Sequence, residues 1–407
     1  LKEAGSSDIE KEFSQFMAQL AEYGIRADRK KLADLIDILT DEENIEIPSG
    51  AEKIASSMKA LSGEAKALVE DAAEDLRLSL GEIPDASLTA DWQYLCMQMA
   101  ADLRTGPSQA LSDLQYVMSL LRRSDNVRGF LITNSANQKS LMPRLNALVE
   151  RLDDSPSNRQ TYDSDSHIIS RLRERTPGLD HPVYVGLVNP NTRSGVFINT
   201  SECASYETTD PETLLKFLSA RLYGGGGAHS MFMKTWSAGL AYSNGLRSNE
   251  STGRLIYYAE RCPDLAQTMQ FVVNELRNAE DDPSLAEYAV AQAFVGNRAG
   301  SRYEQRGAAI AADLADGITP DVVRQFRQGI LKLRSDDRLY QKLSSRMEAT
   351  YGEVLPGYGP RSADVPGAIY FIIGPETQFE SYEDYLHGVE GDVTLYRLYP
   401  RDFWIVR

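Results

Sequence analysis

Four histidines, three cysteines, a run of four glycines and a lysine–tyrosine pair are the residues from which this chain could build chemistry. His167, His181, His229 and His387 stand far apart, with no two within five residues of each other. None is followed by Glu-His at the spacing that sets two imidazoles and a carboxylate on one helical face. A metal-activated water needs three protein ligands and an open position. A zinc site of that type therefore cannot be built from this chain alone. His229, directly after the glycines, reads as a hydrogen-bonded turn or helix-start residue. The glycines with Lys234-Thr235 invite comparison with a phosphate loop, but that motif places glycine directly before the lysine, and Met233 stands there. The upstream element also reads as a helix where a phosphate loop has a strand. No G-x-S-x-G anchors a nucleophilic serine. Cys96, Cys203 and Cys262 are odd in number and form no C-x-x-C pair. They read as reduced, buried thiols, which favours a reducing compartment such as cytoplasm or an organelle interior.

The stretch that remains is 221–246, RLYGGGGAHSMFMKTWSAGLAYSNGL. An amphipathic helical run ends near Tyr223 and Gly224–Gly227 follow. A short helical pattern spans His229 to Trp236, and Gly239-Leu240-Ala241-Tyr242 leads into a strand. Glycine lets backbone approach backbone or ligand closely and adopts positive φ freely. The plain reading is a flexible turn between two helices.

In its order of elements this stretch resembles the C-terminal half of the pitrilysin/insulinase-type zinc metallopeptidases, closest to the presequence-protease-like members. That resemblance, carried over roughly 110–407, implies a basic residue and a tyrosine that reach across a chamber to hold a substrate peptide. Tyr242 stands at the tyrosine position. Lys234, eight residues earlier, is the candidate basic residue where the family usually has arginine. Lys234, Tyr242, Gly225 and Gly226 are the implied substrate-binding residues, and no catalytic or metal-binding residue is expected in this chain. Zinc is expected in the other half, the N-terminal zinc-bearing half, whether on the same polypeptide or a separate subunit. Peptides are the implied substrates. The alternative within the family is a catalytically silent structural or partner subunit, because lysine cannot copy a planar bidentate donor.

The elements that must position these residues fall into two regions. Up to about residue 125 the chain reads as helical. Ser7-Asp8-Ile9-Glu10 has capping-box spacing, with Ile9, Phe13, Phe16, Met17 and Leu20 on one face. Leu32, Leu35, Ile36 and Leu39 stripe a second helix. Val127–Thr133 suits a strand, and Leu141, Leu145, Leu148 and Leu152 mark a helix in which Pro143 fits only the first turn. Ala368–Ile373, Gly374-Pro375-Glu376 and Phe379–Leu386 repeat this strand–turn–helix order. Two copies suggest tandem α+β roll domains, each an antiparallel sheet packed against helices, behind a helix-rich N-terminal portion. The expected layout is a first domain remainder at 1–155, a linker at 156–176 rich in Ser, Asn and Asp, and a second roll domain at 177–407. The second sheet should contain strands near Val185, Ile198, Tyr242, Ile256 and Ile372. Thr319-Pro320 is a helix start, cap then proline at the first position.

At 407 residues the chain has room for two domains. The formal charge of −16 argues against broad nucleic-acid binding. It favours cationic partners or serves solubility alone. No apolar run reaches the 18 or so residues of a membrane span. Leu1 opens the chain in place of Met and no signal pattern follows, which leaves open a processed or trimmed piece of something longer.

Overall fold

The computed structural model describes residues 3–40, 46–127, 131–153, 167–179, 183–295, 302–359, 361 and 364–403. His181, most of the expected linker and the centre of the expected strand at 127–133 lie outside the described residues. The N-terminal region is helical: α1 (Glu3–Tyr23), α2 (Arg29–Leu39), α3 (Glu52–Ala60), α4 (Gly63–Glu82) and α5 (Leu88–Asp102). α1 already runs from Glu3, ahead of the capping-box spacing at Ser7. α2 is capped by Asp28, whose carboxylate accepts from the Lys31 N–H. The stripes read from the sequence meet in one core of their own, with Phe16, Met17, Leu32, Leu35, Leu76 and Trp92 fully buried. Trp92 Nε1 donates to the Leu20 carbonyl at 2.7 Å. Gly24 makes that approach possible, because a Cβ there would lie 2.1 Å from the indole.

α6 (Pro107–Leu121) and α7 (Ser135–Val149) follow, and neither buries a side chain. Pro143 sits inside α7 and not in its first turn, so the helix runs through it with one backbone bond missing. Val127 and residues 131–133 carry no strand. The end of the expected linker, His167–Arg175, is a helix, α8. Its Leu172 packs on Val185 and Leu398, and this apolar contact orders a segment that composition alone marks as a connection.

The second region is built on β1 (Tyr184–Val188), β2 (Gly195–Glu202), β3 (Ser243–Asn249), β4 (Arg254–Cys262), β5 (Ile369–Gly374) and β6 (Leu395–Leu398). Their order across the sheet is β3-β4-β2-β5-β1-β6. The fold is α+β. From β3 to β5 the pairings are antiparallel, whereas β1 runs parallel to both β5 and β6. β6 was not foreseen; four residues are too short to show a period. Among the described residues nine helices complete the region: α9 (Pro211–Ser219), α10 (Met231–Ser237), α11 (Leu265–Arg277), α12 (Leu285–Val295), α13 (Tyr303–Ala315), α14 (Pro320–Arg334), α15 (Leu339–Ser344), α16 (Met347–Gly352) and α17 (Glu376–Glu390). Thr319 caps α14 by accepting from the Val322 N–H, with Pro320 at the first position.

One face of the sheet carries the core. Phe197, Tyr257, Tyr370 and Ile372 alternate inward and meet Phe326, Phe379, Tyr382 and Leu386 from the helices. Each such side chain contributes roughly 1.5–3 kcal/mol on burial. Tyr257 is therefore core while its neighbour Tyr258 is half-buried. Among the described residues no helix is long and apolar enough to cross a membrane.

Candidate functional site

The glycine run joins α9 to α10 beside β3, the edge strand. Asp210 caps α9 by accepting from the Thr213 N–H, and Ser230 caps α10 by accepting from Met233. α10 ends on Gly239 at φ 72, with the Leu240 N–H donating back to the Thr235 carbonyl at 3.1 Å. That left-handed ending needs glycine and turns the chain sharply toward the sheet. Tyr242 then donates its N–H to the Glu260 carbonyl at 2.9 Å, which fixes the start of β3 against β4. Asn244 Nδ2 reaches the Phe232 carbonyl at 3.3 Å and ties β3 to α10.

Tyr242 is 63% exposed, so its ring is not core packing. The guanidinium of Arg261 lies 4.7 Å from its centroid. Lys234 turns the other way: its Nζ is 2.8 Å from Glu275 Oε2 on α11. Both partners of that pair are about one-third exposed, so the bridge positions Lys234 more than it stabilises the fold. Among the described residues no hydrogen bond joins Lys234 to Tyr242.

Gly225 adopts φ 74, and a Cβ there would lie 2.3 Å from the Tyr288 hydroxyl oxygen. That hydroxyl donates to the Gly224 carbonyl at 3.0 Å. Gly226 faces open space. Gly224 and Gly225 form a wall of a cleft of about 300 Å³, completed by Arg221, Arg247, Glu250 and Gln292 among others. Lys234, Tyr242 and Gly226 do not line it. The expected set thus divides, with Gly225 at the cleft and Tyr242 at the edge of the sheet.

Beneath the cleft is a charge pair that sequence reasoning missed. Arg221 Nη2 meets Glu250 Oε1 at 2.5 Å, and the two side chains are only 15% and 7% exposed. Ser248 also donates to Glu250 at 2.7 Å, and the Phe217 ring lies against the guanidinium at 3.5 Å. Burial pulls the Arg221 pKa down and Glu250 opposes that shift. The pair fastens the end of α9 to the β3–β4 hairpin. His229 packs edge-on against Tyr288 at 4.5 Å. Its Nε2 is buried and unpartnered among the described residues. Burial pushes the nearby Tyr223 phenol up to about 12.

Among the described residues no group of three or more His, Cys, Asp and Glu side chains could hold a metal ion. The described residues therefore do not fit a zinc site. Arg261 was also missed, although a signal existed. Leu255, Tyr257 and Ala259 alternate as one apolar face, and then Glu260-Arg261 place two polar residues before Cys262. Such a slip in a period of two marks a bulge.

No family model matches the chain, and no curated protein matches it. Among solved structures it is similar to a peptidase M16 inactive domain from Pseudomonas fluorescens, at 11% identity and a TM-score of 0.38 over 60% of this chain. The chain spans about half of that protein, 51%. A protease from Helicobacter pylori shares 12% identity at a TM-score of 0.39, with 69% of this chain and 62% of that one covered. The first half of the periplasmic protease PqqL from Escherichia coli shares 8% at a TM-score of 0.37, with 92% and 75% covered. Likenesses at this level concern fold alone, and the functional reading rests on residues of this chain.

Proposed function

We propose that this chain is the zinc-free, C-terminal half of a pitrilysin/insulinase-type metalloendopeptidase, of the presequence-protease-like kind, and that it binds peptide substrate without performing the chemistry. The observation that carries the reading is the exposure of Tyr242 at the start of the edge strand, beside a cation and outside the core. An exposed phenol on a rigid strand end is a hydrogen-bond donor in a fixed place. It would donate to a substrate carbonyl and strengthen that bond as charge develops on the oxygen. Gly225 and Gly226 supply close backbone approach on the neighbouring loop.

We read 1–155 as the remainder of a first α+β roll domain, 156–176 as the connection with α8 at its end, and 177–407 as the second. α6 and α7 support this, because they leave Leu111, Leu114, Leu121, Leu145 and Leu148 at 39–68% exposure. Faces of that kind mark interaction surfaces. The partner is the zinc-bearing half, and the free, mostly buried thiols suit a reducing compartment.

The test is Tyr242→Phe in a complex reconstituted with a zinc-bearing half. Loss of one transition-state donor lowers turnover about a hundred- to thousand-fold. Unchanged turnover removes the clamp. One observation favours a silent partner subunit instead: Lys234 is held by Glu275. In that case Lys234→Ala and Tyr242→Phe both leave turnover intact.

A further inference from the structure

The pairing of β4 with β2 slips by one residue. Gly195 lies opposite Cys262 and Phe197 opposite Ala259, so Glu260 and Arg261 together face Val196. Arg261 adopts φ 54 at this bulge, and among the described residues no other non-glycine has a positive φ. Such a position ordinarily takes glycine, because a Cβ crowds the backbone there. An arginine in it breaks a local rule, and residues that do so cluster at functional sites. The consequence is geometric. Strand alternation would put Arg261 on the face of Tyr257 and Ala259, both fully buried. The bulge re-aims it outward, exposed, onto the ring of Tyr242.

Among the described residues no carboxylate lies within salt-bridge distance of Arg261, in a chain whose formal charge is −16. A guanidinium over an aromatic face keeps its in-plane N–H fork free, and that fork matches a carboxylate with two parallel bonds. The phenol beneath it is one more donor.

We propose that Arg261 and Tyr242 form a carboxylate-binding site at the edge of the sheet, which anchors an acidic side chain or the free C-terminus of a bound peptide. The inference rests on the peptide-binding reading above and adds a charge preference to it. Arg261 replaces Lys234 as the cation beside Tyr242, and it arrives from the neighbouring strand.

The test uses the whole 407-residue chain and fluorescence anisotropy. The probes are hexa-alanine labelled at its N-terminus with a neutral, carboxylate-free dye and ending in a free C-terminus, the same labelled peptide amidated, and the amidated peptide with one central glutamate. At least one carboxylate-bearing probe binds about tenfold or more tighter than the neutral one, and which of the two does so identifies the source. Arg261→Gly, which suits the bulge, removes that difference while the unfolding midpoint stays level or rises. Arg261→Lys restores only part of the preference, since a point charge lacks the fork. Equal binding of the neutral probe, a preference that survives Arg261→Gly, or no binding of any probe at millimolar concentration overturns the proposal. If Tyr242→Phe lowers turnover in the complex while charge on the peptide is immaterial, the substrate-binding reading stands and the carboxylate site falls. A charge preference that depends on Arg261, with turnover indifferent to Tyr242→Phe, separates them the other way.

Discussion

Replacing Glu250 with alanine strands the Arg221 guanidinium inside the fold. The carboxylate is 7% exposed and the guanidinium 15%, so water replaces little of what is lost. Removing one member of a buried pair costs about 3–5 kcal/mol, because the other charge stays buried and uncompensated. Arg221 keeps some partners here. Its Nη1 still donates to the Phe217 carbonyl at 3.0 Å, the Phe217 ring still covers it, and Nη2 still reaches the Ser248 hydroxyl. We therefore expect the lower end of the range, about 3 kcal/mol. The double variant Arg221→Met with Glu250→Leu removes both charges and keeps most of the volume. It should lie within about 1 kcal/mol of the parent, or above it. Urea unfolding followed by circular dichroism gives both values. Hydrogen exchange over 217–255 then shows whether the loss is local to the hairpin and the glycine run. A cost below about 1 kcal/mol for Glu250→Ala, or a double variant as damaged as the single one, would refute the claim that this pair fastens α9 to the hairpin.

Further outcomes follow from other sites. Asp91 on α5 is fully buried, with its carboxylate 2.9 Å from Arg401 Nε and accepting from Ser87. Burial raises its pKa, opposed by Ser87 and Arg401. A raised folded-state pKa gives stability that is present below the ordinary aspartate range and lost as pH rises through the folded value. The stability difference between the parent and Asp91→Asn should therefore shift toward the parent as pH falls from neutral to acid, in denaturation curves taken at each pH. Gly225→Ala forces a Cβ to 2.3 Å from the Tyr288 oxygen at φ 74. It should cost about 1–3 kcal/mol by thermal or urea melts. The isolated chain should hold no stoichiometric zinc by elemental analysis and cleave no peptide; about one tightly held zinc per chain would overturn the reading of the histidines.

Local chemistry was legible in the sequence wherever one or two residues decide the backbone. Thr319-Pro320 started a helix because a hydroxyl cap and a preset φ act within four residues. The stripes on α1 and α2 predicted their buried faces, since helical period alone sets which side chains share a side. The scattered histidines spoke against a zinc helix, a matter of spacing along one element. α8 was hidden because its order comes from Leu172 meeting Val185 and Leu398, far away in the chain. The partner of Lys234 depended on how α10 packs on α11, which no spacing encodes. Arg261 lies 19 residues beyond Tyr242 and meets it only through the register of β3 on β4 and the slip against β2. Sequence determined which residues were available and which local conformations they favour. Tertiary structure alone decided which of them stand together, because strand register and helix packing are set by burial summed over the whole core.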